Sequence, residues 1–284
     1  MKNTAVLRIS CPYRKGTGTA ISDFLCEYGA NIIDWDEHLD NALDLLLLRV
    51  EWSLEDFVLN EACFRRKFGT FALRFSLSWE VEYCTKTPAV AVFVSHHLHC
   101  LLDLLHRYQT GELDCDIGLI ISNHQSATLL AEYYSVPFYY LPVTPQIRAQ
   151  VEAEELELLA RHSVDLIVLA RYLQVISAGF VAKYPLKIIN VRQSFLSGFP
   201  AVEPYHEAFT HGVKLLGSTG HYVTPSVDEG PIIEQEVTRI TYSDQLDDVI
   251  QKGRDLERIV LSRAVRWHLD HRILCYANKA VVFA

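Results

Sequence analysis

Two successive series of short apolar segments constrain the fold more than any other feature of the sequence. In residues 4–84 these segments follow the order strand, helix, strand, strand, helix, strand. That order predicts a ferredoxin-like domain. The predicted strands are Thr4–Ser10, Asn31–Glu37, Asp44–Trp52 and Arg74–Tyr83, and the predicted helices are Thr19–Tyr28 and Glu55–Phe71.

A second series begins after the short polar link Thr85–Pro88. Apolar strands now alternate with helical stretches, which predicts a parallel sheet with crossover helices and a ligand site at the carboxyl ends of its strands. We therefore predict an α/β protein with a ferredoxin-like domain at 1–85 and a Rossmann-like domain with a mostly parallel sheet at 86–284. The predicted strands are Ala89–Val94, Ile117–Ser122, Phe138–Leu141, Leu166–Ala170, Ile188–Val191 and Gly217–Thr224, and a closing helix is predicted over Leu246–Asp270.

Composition excludes several classes of function. The formal charge of -9 lacks the basic footprint that wide nucleic-acid contact requires. The seven cysteines are scattered without CxxC spacing, which indicates neither a disulfide framework nor a zinc cage and favours a reducing compartment. Apolar runs such as Leu45–Leu48 are much shorter than the roughly 20 residues of a membrane span, so we expect a cytoplasmic protein without membrane contact.

Three segments near the end of the second series carry the polar groups of a reaction site. They are Ile188–Leu196, Gly217–Thr224 and Val227–Ile233. Asn190 at the end of a strand places a side-chain amide where it can donate to a developing oxyanion. Asp228 in an Asp-Glu-Gly-Pro turn places a carboxylate nearby, where it can order water or accept a proton. Together these groups predict an acyl-transfer site.

Simpler structural roles exist for the titratable residues of this region. His221 follows a strand and can be a buried, hydrogen-bonded histidine, and Asp228 can be an ordinary turn carboxylate. His206 is either a surface residue or a proton carrier. His96, His97 and His99 have no carboxylate or cysteine partners at ligand spacing, so we expect a helix start beside a ligand-side loop and no metal site.

Sequence blocks along almost the whole chain resemble the formyltetrahydrofolate deformylase family, which pairs an N-terminal ACT domain with a formyltransferase domain. The blocks are Cys11-Pro12-x-Arg14-Lys15-Gly16, Gly29–Asp34, Arg49–Trp52, His99–Leu105, Ile121–His124, Leu169–Gln174, Lys252–Asp255 and Arg263–Leu269. So many blocks in one order are not coincidental.

The resemblance implies a reduced folate as ligand, carrying its one-carbon unit as a 10-formyl, methenyl or methylene group. It places the pterin beside backbone groups of a strand-end loop and of the turn around Asp228, and it implies a small-molecule acceptor and no metal. ACT domains associate through sheet edges, so a homodimer or homotetramer is expected. The implied folate-binding residues are Arg171, Tyr172, Leu173, Gln174, Val175, Val227, Glu229 and Gly230.

The chain departs from the family pattern within a dozen residues of the reaction segment. The family has histidine where this chain has Arg192, and usually a second one where it has Gln193. Three further departures are Ser197, Ala201 and Glu203. A guanidinium stays charged at all relevant pH values, so Arg192 can stabilise an oxyanion or bind an anion but cannot transfer a proton.

Three functions are compatible with these residues, in order of preference. The first is transfer or condensation of a folate-borne one-carbon unit onto an acceptor such as an amine, with Asn190 and Arg192 stabilising charge and Asp228 as base. The second is hydrolysis of 10-formyltetrahydrofolate to formate and tetrahydrofolate, with His221 or His206 replacing the lost histidine. The third is folate binding or sensing without catalysis.

Overall fold

The computed structural model describes residues 3–194, 204–226 and 228–284. They form two compact units, the first comprising 1–87, 271–277 and 281–284 and the second comprising 88–270 and 278–280. The first unit therefore extends two residues beyond the predicted boundary at 85. It also contains most of the C-terminal segment, which the sequence pattern assigned to the second domain.

The first unit has the predicted βαββαβ order. Its elements are β1 (Thr4–Pro12), α1 (Thr17–Glu27), β2 (Asn31–Asp40), β3 (Leu45–Ser53), α2 (Glu61–Phe75) and β4 (Ser78–Tyr83). The four strands form an antiparallel sheet in the order β2-β3-β1-β4, which is the ferredoxin-like arrangement. Apolar side chains of β1 and β3 pack against α1 and α2 to form its core.

The second helix of this unit differs from its predicted bounds. Asn60 caps α2 by accepting a hydrogen bond from the backbone N–H of Cys63 at 2.9 Å, so the helix begins at Glu61 and not at Glu55. It ends at Phe75, because Ser76 takes the left-handed conformation. The following strand therefore begins at Ser78 and not at Arg74.

The C-terminal residues return to the first unit. Leu274 and Phe283 pack against Leu47 of β3, and the buried Arg49 donates through Nε to the carbonyl oxygen of His271 at 3.2 Å. Two short strands form the hairpin of this segment, β12 (Ile273–Tyr276) and β13 (Lys279–Val282). No periodic signal predicted them, since each has only four residues.

The second unit is built on a seven-stranded sheet in the order β11-β10-β9-β8-β5-β6-β7. Strands β5 to β9 are parallel, whereas β10 runs antiparallel to β9 and β11 antiparallel to β10. This confirms the predicted mostly parallel sheet. The strands are β5 (Ala89–Val94), β6 (Asp116–Ser122), β7 (Phe138–Tyr140), β8 (Leu166–Leu169), β9 (Ile188–Ser194), β10 (Leu215–Tyr222) and β11 (Ile232–Arg239).

Helices connect these strands, and a short 3-10 turn (Gln125–Ala127) precedes α4. The long α8 packs against β9, β10 and β11, while apolar residues of β5, β6 and β8 form the core with α5 and α6. No helix in the described ranges is long and apolar enough to cross a membrane. The helices are α3 (His99–Gln109), α4 (Thr128–Tyr133), α5 (Arg148–Arg161), α6 (Ala178–Val181), α7 (Pro204–Thr210) and α8 (Leu246–Leu269).

Strand β9 is longer than the predicted Ile188–Val191. It continues to Ser194 because its polar end pairs with β10, Arg192 opposite Thr219 and Gln193 opposite Ser218. The predicted end of this strand at Val191 is therefore wrong, because Arg192 and Gln193 belong to the strand. Because consecutive strand residues point to opposite faces of a sheet, the two side chains are directed to different surroundings.

Candidate active site

Asn190 and His221 form a cross-strand pair on one face of the sheet. They lie opposite each other on β9 and β10, and Nδ2 of Asn190 is 3.4 Å from Nε2 of His221. The other face of β10 is covered by α8, because a Cβ on Gly220 would lie 3.1 Å from Val260 and 3.2 Å from Ala264. Asn190 and His221 therefore share the face opposite α8.

The hydrogen bonds of His221 define its tautomer. Nδ1 lies 3.0 Å from the backbone carbonyl oxygen of Tyr222, which can only accept, so Nδ1 carries a proton. In the neutral ring Nε2 then presents its lone pair towards Asn190. Burial lowers the pKa of His221 below its ordinary value, and the nearby charge of Arg192 acts in the same direction. The hydrogen bond to Tyr222 and the charge of Asp228 oppose the shift without cancelling it. His221 is therefore a neutral base at neutral pH.

Asp228 reaches this pair from the turn after β10. Its Oδ1 is 3.5 Å from Nε2 of His221, and its Oδ2 is 3.7 Å from Nη1 of Arg192. Asp228 has a left-handed backbone (φ 58°), a conformation that costs a non-glycine residue free energy and that is concentrated at functional sites. Gly230 allows the turn to close, because a Cβ there would lie 1.8 Å from the carbonyl oxygen of Tyr222.

Arg192 lies on the same face and supplies a fixed positive charge. Its side chain is 39% exposed and its contact with Asp228 is a loose one. Its Nε is buried and has no hydrogen-bond partner among the described residues. The guanidinium is therefore available to a charge that develops on a bound substrate.

The loop at 171–175 follows β8 at the same edge of the sheet. Arg171 has a left-handed backbone (φ 61°), its carbonyl oxygen accepts from the N–H of Ser95 at 3.2 Å, and the N–H of Leu173 donates to Oγ of Ser95 at 3.0 Å. Ser95 Oγ in turn donates to Asn123 Oδ1 at 2.8 Å. The side chains of Leu173 and Val175 are half-exposed apolar groups. The loop is therefore fixed to the ends of β5 and β6.

The side chains of Arg171 and Tyr172 point away from this edge into the protein. The hydroxyl of Tyr172 donates to the buried Glu155 at 2.9 Å, and Nη1 of Arg171 lies 3.3 Å from Glu257. Gln174 is partly buried. Any ligand beside this loop would therefore meet backbone groups and the apolar side chains of Leu173 and Val175.

The structure describes only some of the remaining residues that the sequence analysis singled out. Glu229 accepts a hydrogen bond at its carbonyl oxygen from Asn278 at 2.8 Å. His206 is exposed on α7, and no hydrogen bond or ion pair in the described part of the chain joins it to Asn190, His221 or Asp228. Val227, Ser197, Ala201 and Glu203 lie outside the described residues.

The histidines after β5 lie at the same sheet edge. The rings of His96 and His97 are 4.0 Å apart, and His124 after β6 is 5.4 Å from His96. Burial lowers the pKa of His97 to about 4, together with the neighbouring histidines and the charges of Arg171 and Arg254. His97 is thus neutral, and α3 begins at His99.

Glu257 was not among the predicted site residues. This α8 carboxylate is fully buried and contacts His99, Arg171, Gln193 and Tyr205. Potential metal-ligand atoms of His99, Cys100 and Glu257 lie within 4.8 Å of one another, but the carboxylate already accepts from donors on four elements. The one sequence signal was Gly253 inside an otherwise helical pattern, a position that commonly has a packing reason.

Comparisons with known proteins agree with this architecture. Residues 89–265 match the formyl transferase family. A formyltetrahydrofolate deformylase of Synechocystis sp. is 46% identical over 281 residues, 99% of each chain, and one of Bacillus subtilis is 42% identical over 278 residues, 98% of this chain and 93% of its own. The crystal structure of a formyltetrahydrofolate deformylase from Pseudomonas syringae pv. tomato superposes with a TM-score of 0.95 at 38% identity, covering 100% of this chain and 95% of that one.

Proposed function

The chain belongs to the formyltetrahydrofolate deformylase family, and from this premise we propose that it hydrolyses 10-formyltetrahydrofolate to formate and tetrahydrofolate. Family membership makes it a folate-dependent one-carbon enzyme. The observation that carries the specific reaction is the neutral His221, with Nε2 facing both Asn190 and Asp228. This set contains a base, a group that can stabilise the protonated base, and an amide donor.

His221 is the proton carrier of the proposed reaction. Nε2 takes a proton from water as the water oxygen bonds to the formyl carbon, and Asp228 stabilises the imidazolium that forms. The charge on the former carbonyl oxygen is stabilised by the amide of Asn190 and the guanidinium of Arg192. When the bond from the formyl carbon to N10 breaks, N10 takes the proton from His221. The products are tetrahydrofolate and formic acid, which ionises.

Arg192 fits this scheme as an electrostatic group. It cannot carry a proton, so the scheme assigns both proton transfers to His221. Burial is the main cause of the lowered pKa of His221, and the charge of Arg192 adds to it. The substitution of histidine by arginine at this position is therefore compatible with hydrolysis.

Transfer to an amine, the first of the three functions predicted from the sequence, receives less support. The relatives named above are deformylases, and removal of the formyl group is the second of those functions. His206, the other candidate for the replacement base, is exposed on α7 and has no hydrogen bond or ion pair to the set among the described residues. We therefore assign the base role to His221 and none to His206.

The folate is proposed to lie between the 171–175 loop and the turn at 228–230. The exposed apolar side chains of Leu173 and Val175 offer a surface for a flat ring beside backbone groups of the loop. We propose further that the first unit is an ACT-type domain that pairs chains through its sheet edges. Its ferredoxin-like sheet has β2 and β4 as edge strands, which supports this.

The test is turnover in water enriched in oxygen-18. Purified protein with 10-formyltetrahydrofolate is expected to release tetrahydrofolate and formate carrying one oxygen-18 atom per molecule, at a rate unaffected by added primary amine. A formylated amine as product would favour transfer. Tetrahydrofolate binding in calorimetry with no product at all would favour a binding protein, and either result would overturn the proposal.

A further inference from the structure

A buried carboxylate outside the reaction set connects four elements of the second unit. Glu257 on α8 is 0% exposed, yet its two oxygens contact donors from α3, the 171–175 loop, β9 and α7. We call these residues the Glu257 network. The distances are 2.5 Å from Nε2 of His99, 3.3 Å from Nη1 of Arg171, 2.7 Å from Nε2 of Gln193 and 2.7 Å from the hydroxyl of Tyr205.

The donors keep this carboxylate ionised. Burial alone would raise the pKa of Glu257, but the hydrogen bond from His99 and the charge of Arg171 lower it below the ordinary value. A buried charge that is satisfied in this way holds its partners in fixed positions, because any displacement would leave it without a donor. The network is thus a rigid connection between α8 and the elements that contribute its donors.

A glycine in α8 makes the connection possible. The ring of Tyr205 lies so close to Gly253 that a Cβ there would be 2.0 Å from Cε1 of the ring. Glycine inside a helix costs about 1 kcal/mol relative to alanine, so its presence needs a packing reason, and the approach of Tyr205 supplies one. Without this approach the tyrosine hydroxyl could not reach Glu257.

Two of the partners are adjacent to residues of the proposed site. Gln193 directly follows Arg192 on β9, and Arg171 begins the loop that we assign to the folate. The loop is held at its backbone by Ser95 and at the Arg171 side chain by Glu257. The network therefore connects the strand that bears the reacting groups with the loop that bears the ligand.

We propose that Glu257 is a positioning residue, which sets the position of β9 relative to the 171–175 loop and so aligns the folate with Asn190 and Arg192. This inference rests on the proposed function. It predicts that loss of the carboxylate weakens both folate binding and turnover, although no hydrogen bond or ion pair among the described residues joins Glu257 to Asn190, Arg192, His221 or Asp228.

The test compares three variants with a matched control. Glu257→Gln replaces the charge, Tyr205→Phe removes one donor, and Gly253→Ala displaces the tyrosine ring. Because misplacement of reacting groups by about 1 Å costs roughly a hundredfold in rate, we expect kcat to fall about ten- to a hundredfold in Glu257→Gln and less in the other two. The dissociation constant of tetrahydrofolate is expected to rise at least fivefold, on the order of 1 kcal/mol.

The control is Val265→Ala, which opens a cavity at a buried position of α8 eight residues from Glu257. It should lower the melting temperature as the network variants do, yet leave kcat and tetrahydrofolate affinity within twofold of the wild type. If all four variants lose stability but keep kcat and affinity, the network is only structural and the proposal is wrong. If chelation abolishes wild-type activity, zinc restores it and Glu257→Gln no longer binds zinc, Glu257 is a metal ligand and the proposal is also wrong.

Failure of the proposed function can be distinguished from failure of this inference. Tetrahydrofolate affinity is measured by calorimetry and does not require turnover. A wild type that binds tetrahydrofolate without hydrolysis, with affinity weakened in Tyr205→Phe and Glu257→Gln, would overturn the hydrolase and retain the positioning role. Unchanged affinity in both variants would overturn the positioning role alone.

Discussion

Adjacent side chains on the two faces of β9 have different surroundings. On one face Arg192 is 39% exposed and its nearest carboxylate, on Asp228, is 3.7 Å away. On the other face Gln193 donates at 2.7 Å to Glu257, which is fully buried. The side chain of Arg192 is partly exposed and loosely held, whereas that of Gln193 contacts a buried partner closely. We call the face of β9 that bears Arg192 the open face and the face that bears Gln193 the closed face. Two adjacent residues of one strand therefore lie in a partly exposed site and in a buried network.

This difference predicts unlike consequences for the two neighbouring departures from the family pattern that the resemblance implies. A guanidinium at 192 cannot transfer a proton, so the proposed reaction needs another residue to carry it. Glutamine at 193 has an amide donor for Glu257, although its own buried Oε1 has no hydrogen-bond partner among the described residues. We therefore expect the change at 192 to affect the reaction and the change at 193 to affect stability.

The largest effect is expected from substitution of His221, the proposed general base on the open face. His221→Asn removes the group that we propose as acceptor of the water proton, and loss of a positioned acid-base residue costs about a hundredfold to ten-thousandfold in rate. We expect kcat for formate release to fall within that range while tetrahydrofolate still binds. His206→Asn is the matched control, since His206 is an exposed histidine of α7. A large loss in the control with little loss in His221→Asn would exchange their roles.

A paired substitution tests the division between the faces directly. Arg192→Met should lower kcat about a hundredfold, the typical cost of losing one oxyanion donor, and leave the free energy of unfolding within about 0.5 kcal/mol. Gln193→Met leaves Glu257 with one donor fewer and should lower the free energy of unfolding by about 1–3 kcal/mol. Urea unfolding and steady-state kinetics on both variants provide the measurement. The reverse pattern would show that the faces are not divided in this way.

The sequence predicted the kinds of elements better than their ends. Apolar periodicity identified β1 to β10, because buried strands such as β5 and β8 have continuous apolar runs, but it missed β11, β12 and β13. It ended β9 at Val191, because the next residues are polar, yet these pair with β10 and one of them meets a buried carboxylate. Tertiary partners, which a local pattern does not contain, decide such boundaries.

Three of the candidate site residues lie close together in the structure. Asn190, His221 and Asp228 lie on segments with recognisable turns and strand ends, and the structure places them within 3.5 Å of their neighbours in the set. Glu257 was missed because it is 64 positions from Gln193 and lies in a helix rich in charged residues, where glutamate is ordinarily exposed. Only the packing of α8 on the sheet reveals it.

The pH dependence of kcat sharpens the comparison. The active form of His221 is neutral and its pKa is lowered, so the rate should be maintained at pH 6.5 and fall only in more acid solution, by up to tenfold per pH unit. Because the charge of Arg192 contributes to this lowering, Arg192→Met should move the acid limb to higher pH, and Gln193→Met should leave it in place. A limb that begins above pH 6.5 in the wild type, or that moves in Gln193→Met, would contradict the assignment.

The smallest effect is expected on the free energy of unfolding when a second buried glutamate, Glu155, is substituted. This substitution tests why the charge of Glu257 is tolerated on the closed face. Glu155 on α5 has Tyr172 as its hydrogen-bond donor, and burial raises its pKa to about 7. Its neutral form stabilises the fold below pH 4.5, and this contribution is lost as pH rises through about 7. Glu155→Gln keeps an acceptor for Tyr172 without the charge, so at pH 8 it should be more stable than the wild type by about 1–2 kcal/mol, with no gain at pH 4.5.

The contrast with Glu257 lies in the number of donors. Glu257→Gln removes a charge that four partners satisfy and should destabilise the protein at pH 8, whereas Glu155→Gln removes a charge with one donor. Urea unfolding of both variants at pH 4.5 and pH 8 provides the measurement. If Glu155→Gln were destabilising at pH 8, the charge on Glu155 would be as well satisfied as that on Glu257. The number of donors would then not explain why Glu257 stays ionised.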